Sequence, residues 1–250
     1  MGWLNLSRVP EPEVMDDSDE VEAYASAAAQ AYLDRIDDTF VAHAVCLVRG
    51  RESGRALDIG SGPGQIVLKL ARRLPGWQFV GVDRSSSMIR QARASLAGQG
   101  VARLSPPGQG APEGCVQFFV ADGNRLPFPS AQFDLVMCNS VLHHLTEPHR
   151  LLAEVARLVK PDGAILIRDL RRPSRFAYPL HVRWYGRHYS GLMYKLYCNS
   201  VRSAYTEAEL EELRRDSPLA NASPAPAAVN RGTRVFRHKR THLGLERPAL

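Results

Sequence analysis

The chain has 250 residues, 44% apolar and 23% charged, which is long enough for one large domain with a sizeable core and too apolar for a disordered chain. No run approaches the roughly 18 apolar residues of a membrane helix, and the start MGWLNLSRVP lacks an apolar signal core, so a cytoplasmic protein is expected. The net charge of +6 is uneven: EPEVMDDSDEVE is acidic and the second half holds most of the arginines, which fits an anionic partner or, more commonly, a solvated basic surface.

Residues Asp19 to about Val48 read as a helix, with Val21, Tyr24, Ala25, Ala28, Tyr32 and Ile36 at helical spacing. Strand and helix signals then alternate. RALDIG is a short buried strand, QIVLKLARRL a helix, WQFVGVD a strand and SSMIRQARASLA a helix. CVQFFVAD and FDLVMCNS are strands, EPHRLLAEVARLV a helix and GAILIRDL a strand. Apolar strands interleaved with amphipathic helices predict a parallel sheet covered on both faces. Right-handed crossovers place the strand C-termini on one edge, where ligands bind. Gly98–Gly114 and Asn221–Thr233 are rich in Gly, Pro and small residues and read as surface insertions. After the fifth strand comes an aromatic, basic segment, FAYPLHVRWYGRHYSGLMYKLYCNSVRSAYT. A helix, TEAELEELRR, follows with Thr206 and Glu209 as a capping box, and TRVFRHKRTHLGLER closes the chain as one or two strands. Cys46, Cys115, Cys138 and Cys198 lie far apart, with no Cys/His ligand spacing. Buried thiols are expected, with no disulfide and no metal.

The turn in RALDIGSGPGQIV decides which ligand the sheet edge suits. Gly60, Gly62 and Gly64, with Ser61 among them, form G-x-G-x-G, and Gln65 stands where a dinucleotide fingerprint has its third glycine. The Lys-Ser/Thr of a P-loop is missing as well. Asp58 ends the first strand where a phosphate would approach; a carboxylate there repels phosphate and pairs with an ammonium group, directly or through water. The following helix N-terminus favours a carboxylate. Asp83 ends the second strand, a position from which an acid accepts hydrogen bonds from ribose hydroxyls. An amino acid joined to a ribose without phosphate describes S-adenosylmethionine. By themselves the glycines require only a tight turn; Asp58, Asp83 and the strand placement add the specificity.

With these features the sequence resembles the class I S-adenosylmethionine-dependent methyltransferases, nearest the ubiquinone/menaquinone-methyltransferase-like branch. The resemblance runs from about Ala56 to Leu170. LDIGSGPG looks like the family's first motif and GVDRSSSMIRQAR its second. VADGNRLPFPSAQFDLVMCNSVLHHL and EVARLVKPDGAILIRDL look like the remaining ones. The resemblance implies an α/β fold: a three-layer, Rossmann-like, seven-stranded, mostly parallel sheet with helices on both faces and an aromatic lid segment. The single domain, 1–250, then divides into an N-terminal helical lid (1–50), a cofactor-binding core (51–170), a substrate-lid segment and helix (171–217) and C-terminal strands (218–250).

It also implies roles. Asp83 binds the ribose, flanked by Arg84. Asp122 meets the adenine amino group with Gly123 contributing backbone, and Asn139 lines the methionine side. Met88 packs either on the adenine or in the core. With Asp58, Gly60, Ser61, Gly62 and Gly64 these form the expected cofactor set.

The expected reaction is in-line transfer of a methyl group to a small-molecule O, N, S or C nucleophile, leaving S-adenosylhomocysteine. It depends chiefly on alignment and exclusion of water, with a general base where the acceptor is protonated. His143 and His144 are candidate bases, with packing or hydrogen bonding within their loop the more common account of such a pair. Tyr189 is a third candidate. Tyr189, His188 and Arg202 are expected to close over the acceptor, with Tyr24 and Tyr32 of the N-terminal helix opposite. RNA or protein methylation is the alternative, resting on the basic second half, but the Asn/Asp-Pro-Pro-aromatic motif of nucleic-acid methyltransferases is replaced by CNSVLH and nucleic acid is not expected. A non-catalytic cofactor-binding protein is a further alternative.

Overall fold

The structure is a computed structural model that describes residues 5–11, 31–98, 115–220 and 232–250. The first half of the expected N-terminal helix, including Tyr24, and nearly all of both insertions lie outside the described residues.

Helix α1 spans Ala31–Leu47. Strand β1 (Gly54–Ile59), helix α2 (Gln65–Arg73), strand β2 (Trp77–Asp83) and helix α3 (Ser86–Ala97) follow. Strands β3 (Val116–Val120) and β4 (Phe133–Asn139) come next, then a 3-10 turn over Leu142–His144, helix α4 (Pro148–Leu158) and strand β5 (Val159–Leu170). Helix α5 (Tyr178–Tyr185), a second 3-10 turn (Gly186–His188), α6 (Gly191–Ser203) and α7 (Glu207–Arg215) precede the closing strands β6 (Arg234–His238) and β7 (His242–Arg247).

The seven strands form one sheet in the order β3-β2-β1-β4-β5-β7-β6. β1 to β5 pair in parallel, whereas β7 runs antiparallel to both β5 and β6. This is the Rossmann-like, mostly parallel, seven-stranded fold expected. β1 lies between β2 and β4, so strand order reverses beside its C-terminal end and opens a crevice there.

Strand alternation sends side chains to two apolar layers. Ala56, Phe79, Met137 and Leu166 join Phe40, Val67, Leu70 and Ile89 of α1, α2 and α3 on one face. Leu57, Val80, Val136, Ile165 and Ile167 join Leu152, Val155, Leu210 and Leu213 of α4 and α7 on the other. Burial on both faces explains why the strands read as continuous apolar runs.

Local signals set the boundaries. Gly64 caps α2 with φ 82, a conformation glycine adopts without strain, and an added Cβ would stand 2.6 Å from the Phe118 ring. Ser85 Oγ accepts from the Met88 N–H at the start of α3, and the Thr206–Glu209 capping box opens α7. β5 begins directly after α4 at Val159 rather than at Gly163, through an irregular register between Phe133 and Leu135. The thiols differ from expectation: Cys115 and Cys138 are buried and free, but Cys46 is exposed and Cys198 half-buried. Among the described residues no helix is long and apolar enough to cross a membrane.

Candidate active site

A cavity of about 250 Å³ opens at the C-terminal edge of the sheet. Its floor comes from strand ends: Ile59 and Gly60 after β1, Val82 and Asp83 of β2, Ala121 to Asn124 after β3, Asn139 of β4 and Leu170 of β5. One wall is Leu33, Ile36 and Asp37 of α1; another is Tyr189 with Met193, Leu196, Tyr197 and Ser200 of α6.

The turn after β1 is tightly built. Gly60 N–H and Ser61 N–H donate to Val82 O at 2.8 and 2.9 Å. A Cβ on Gly60, whose φ is 75, would lie 2.2 Å from Val141 Cγ2. Asp83 braces the same turn: Oδ2 accepts from Gly62 N–H at 2.9 Å and Oδ1 from Ser85 N–H at 2.8 Å. Gly123 approaches Ile59 closely, so that an added Cβ would lie 2.8 Å from Ile59 Cγ2. Asp122 is exposed and accepts the Asn124 N–H at 2.9 Å.

Acidic groups gather on this side. Asp58 is 2% exposed, and neither its Oδ1 nor Ser61 Oγ has a hydrogen-bond partner. Burial, with the nearby carboxylates of Asp83 and Asp37, pushes Asp58 up to about 8. Burial likewise raises Asp37 to about 6, against the opposing pull of Lys69 and Arg168. A ligand with positive charge beside these carboxylates relieves their mutual repulsion. The orphaned Asp58 oxygen and the absence of a P-loop lysine fit a phosphate-free, ammonium-bearing ligand.

Arg168 and Asp169 show how alternation divides the site. Arg168 faces α1: its guanidinium donates to Asn139 Oδ1 at 3.0 Å, Thr39 Oγ1 at 2.8 Å and Ile36 O at 3.1 Å, and lies 4.8 Å over the Phe40 ring. Burial lowers its pKa to about 10, with Asp37 and Asp169 opposing. Asp169 faces the other way: Oδ1 lies 2.6 Å from His143 Nδ1 and Oδ2 accepts the His143 N–H at 2.9 Å. Burial works to lower the His143 pKa, but Asp169 outweighs it and the pKa is raised.

The segment before residue 12 is laced onto this corner. Arg8 donates to Ser203 O at 2.7 Å and to His143 O at 3.1 Å, and its guanidinium lies 4.4 Å over the Tyr205 ring. Glu11 Oε2 accepts from Ser200 Oγ at 3.0 Å and stands 3.7 Å from His143 Nε2 and 3.5 Å from His144 Nδ1.

Of the residues expected from sequence, Gly60, Gly62, Asp83, Arg84, Met88, Asp122, Gly123 and Asn139 line the cavity, as do His143, His144 and Tyr189. Asp58, Ser61 and Gly64 are not among its lining residues: the first two are buried, and Gly64 packs against Phe118. His188 is exposed, Arg202 packs 5.6 Å from the Tyr178 ring, and neither lines the cavity. Sequence reasoning missed Asp37, Glu11 and the buried His242, which also lines the cavity. Only tertiary packing brings them here; none belongs to a local motif.

Residues 57–167 match a family described as a methyltransferase domain. The chain is similar to two proteins named ubiquinone/menaquinone biosynthesis C-methyltransferase UbiE. That of Pseudomonas putida (strain W619) is 29% identical and that of Pseudomonas fluorescens (strain SBW25) 28%, each over 73% of this chain and 68% of the relative. Residues 57–167 are a methyltransferase domain. Solved methyltransferases share the fold. One from Aquifex aeolicus has a TM-score of 0.57 at 16% identity, covering 86% of this chain and 89% of its own. The magnesium protoporphyrin IX methyltransferase of Synechocystis, solved with bound S-adenosylhomocysteine, has a TM-score of 0.61 at 17% identity, covering 94% of this methyltransferase and 96% of its own chain.

Proposed function

We propose that this methyltransferase acts on a small, partly apolar molecule held between the sheet edge and α6. The observation that carries this reading is the cavity wall of Tyr189, Met193, Leu196 and Tyr197, which lines the same space as Asn139 and His143. A concave, mainly apolar wall suits a small acceptor better than a polymer, which needs a basic groove. The relatives named for C-methylation in quinone biosynthesis make phenolic and quinol-like rings the first acceptors to try.

In this reading residues 51–170 hold the cofactor, while residues 1–50 and 171–217 supply the acceptor side. The carboxylates of Asp58 and Asp37 attract the ammonium end, Asp58 from beneath the turn. Asp83 binds the ribose hydroxyls from the carboxylate that already braces Gly62 and Ser85. Asp122 and Gly123 meet the adenine edge, with Met88 beside its face. The bound cofactor supplies an electrophilic methyl group on a sulfonium. The protein's share is alignment and exclusion of water. His143, oriented through Nδ1 by Asp169, borders the space for the acceptor. A cytoplasmic setting fits the four free cysteines.

The test is transfer from S-adenosylmethionine labelled in its methyl group to separate pools of thiols, phenols, amines, quinols and RNA. Label in a small-molecule pool is the expected result. Label in RNA or in protein alone overturns the reading.

A further inference from the structure

We propose that Glu11, His143 and His144 form a divalent-metal site, for zinc by its donor chemistry, on the acceptor side of the cavity. One ligand atom from each residue lies within 4.8 Å of the others. Glu11 Oε2 is 3.7 Å from His143 Nε2 and 3.5 Å from His144 Nδ1. These separations exceed a hydrogen bond, yet a single ion about 2.0–2.2 Å from each donor spans them.

The second observation is His143 itself. It is 2% exposed, and its Nε2, on the Glu11 side of the ring, has no hydrogen-bond partner. Its other nitrogen lies 2.6 Å from Asp169 Oδ1. A carboxylate that holds one imidazole nitrogen and frees the other for a metal is the outer-shell arrangement that orients ligating histidines. Glu11 is held in its turn, because Ser200 Oγ donates to Oε2 at 3.0 Å and the Glu11 N–H donates to Ser203 Oγ at 3.3 Å.

Two histidines and one glutamate are a donor set used by catalytic zinc, which keeps a fourth position open. Both histidines line the cavity, which sets the site beside the space assigned above to the acceptor. An oxygen, nitrogen or sulfur of the acceptor would bind there and lose its proton more readily. This last step rests on the acceptor reading; metal binding does not.

The experiment titrates zinc chloride into the chelator-treated full-length protein, without cofactor or acceptor, by calorimetry. Cobalt(II) is titrated in parallel and its visible spectrum recorded. One saturable equivalent is expected, with cobalt bands that lack thiolate charge transfer, which sets aside the exposed Cys46. Glu11→Gln and His144→Gln leave the His143–Asp169 pair intact and should each weaken binding at least tenfold. Asp169→Asn should weaken it about 10–100-fold. Absence of saturable binding overturns the site, as does unchanged affinity in folded Glu11→Gln and His144→Gln proteins. Either result leaves the methyl-transfer reading standing, which the labelled-cofactor assay decides by itself.

Discussion

Asp169 holds His143 at two points: Oδ1 lies 2.6 Å from the ring Nδ1, and Oδ2 accepts the backbone N–H at 2.9 Å. Both residues are almost wholly buried. Removing one partner of a buried, hydrogen-bonded charge pair costs about 3–5 kcal/mol. Asp169→Ala should therefore lower unfolding stability by about that amount, read from the denaturant midpoint at constant slope. Asp169→Asn should retain more stability than Asp169→Ala, since its amide oxygen still accepts one of the two hydrogen bonds.

Asp58 makes the free protein sensitive to pH. Its folded pKa is about 8 against an ordinary 3.8, from burial and the carboxylates of Asp83 and Asp37. Between those values the folded protein keeps a proton that the unfolded chain has released. Stability from this group therefore falls as pH rises through the window, by at most about 1.4 kcal/mol per pH unit. Asp58→Asn should flatten the decline between pH 5 and 8 in thermal melts. Cofactor binding near pH 7 should release a proton, seen by calorimetry in buffers of different ionisation enthalpy.

How much of this was legible in the sequence differs from residue to residue. The strand ends at Asp58 and Asp83 and the glycine turn between them were readable, because strand, turn and helix signals are local and Gly64 caps a helix that begins one residue later. The Thr206–Glu209 capping box was readable for the same reason. The partnership of His143 with Asp169 was not, since it joins the loop after β4 to the opposite face of β5 from Arg168. Glu11 is brought to the site by contacts of its segment such as those of Arg8, Ser200 and Ser203, which are long-range. Arg202 and His188 looked like site residues by composition; packing turned the first onto Tyr178 and left the second exposed.

Arg168 ties the helical wall to the strand floor through Asn139, Thr39 and Ile36. Arg168→Leu removes all three hydrogen bonds to these part-buried acceptors, each charge-assisted bond being worth about 1.5–3 kcal/mol. We expect a lower melting temperature and a higher cofactor Kd together, because the Leu33–Asp37 wall loosens. Arg168→Lys should recover only part of either, since an ammonium cannot reproduce the planar fork.

Tyr189 and Tyr197 stand with ring centroids 5.2 Å apart in the acceptor wall. Tyr189→Ala should raise the acceptor KM about tenfold, equivalent to about 1.4 kcal/mol of lost contact. Cofactor Kd should stay near its parent value. Tyr189→Phe separates ring from hydroxyl: retention of the parent KM assigns the effect to the ring. Steady-state kinetics with a responsive acceptor reads both.

In the proposed reading the cofactor sits on the turn between β1 and α2, with Asp83 beneath its ribose. Calorimetric titration of S-adenosylmethionine into the parent and into Asp83→Ala tests it most directly. Hydrogen bonds to a charged group are worth about 1.5–3 kcal/mol each, so Asp83→Ala should bind on the order of tenfold to a hundredfold more weakly while circular dichroism shows an intact fold. A folded Asp83→Ala protein that binds the cofactor as tightly as the parent would contradict the account.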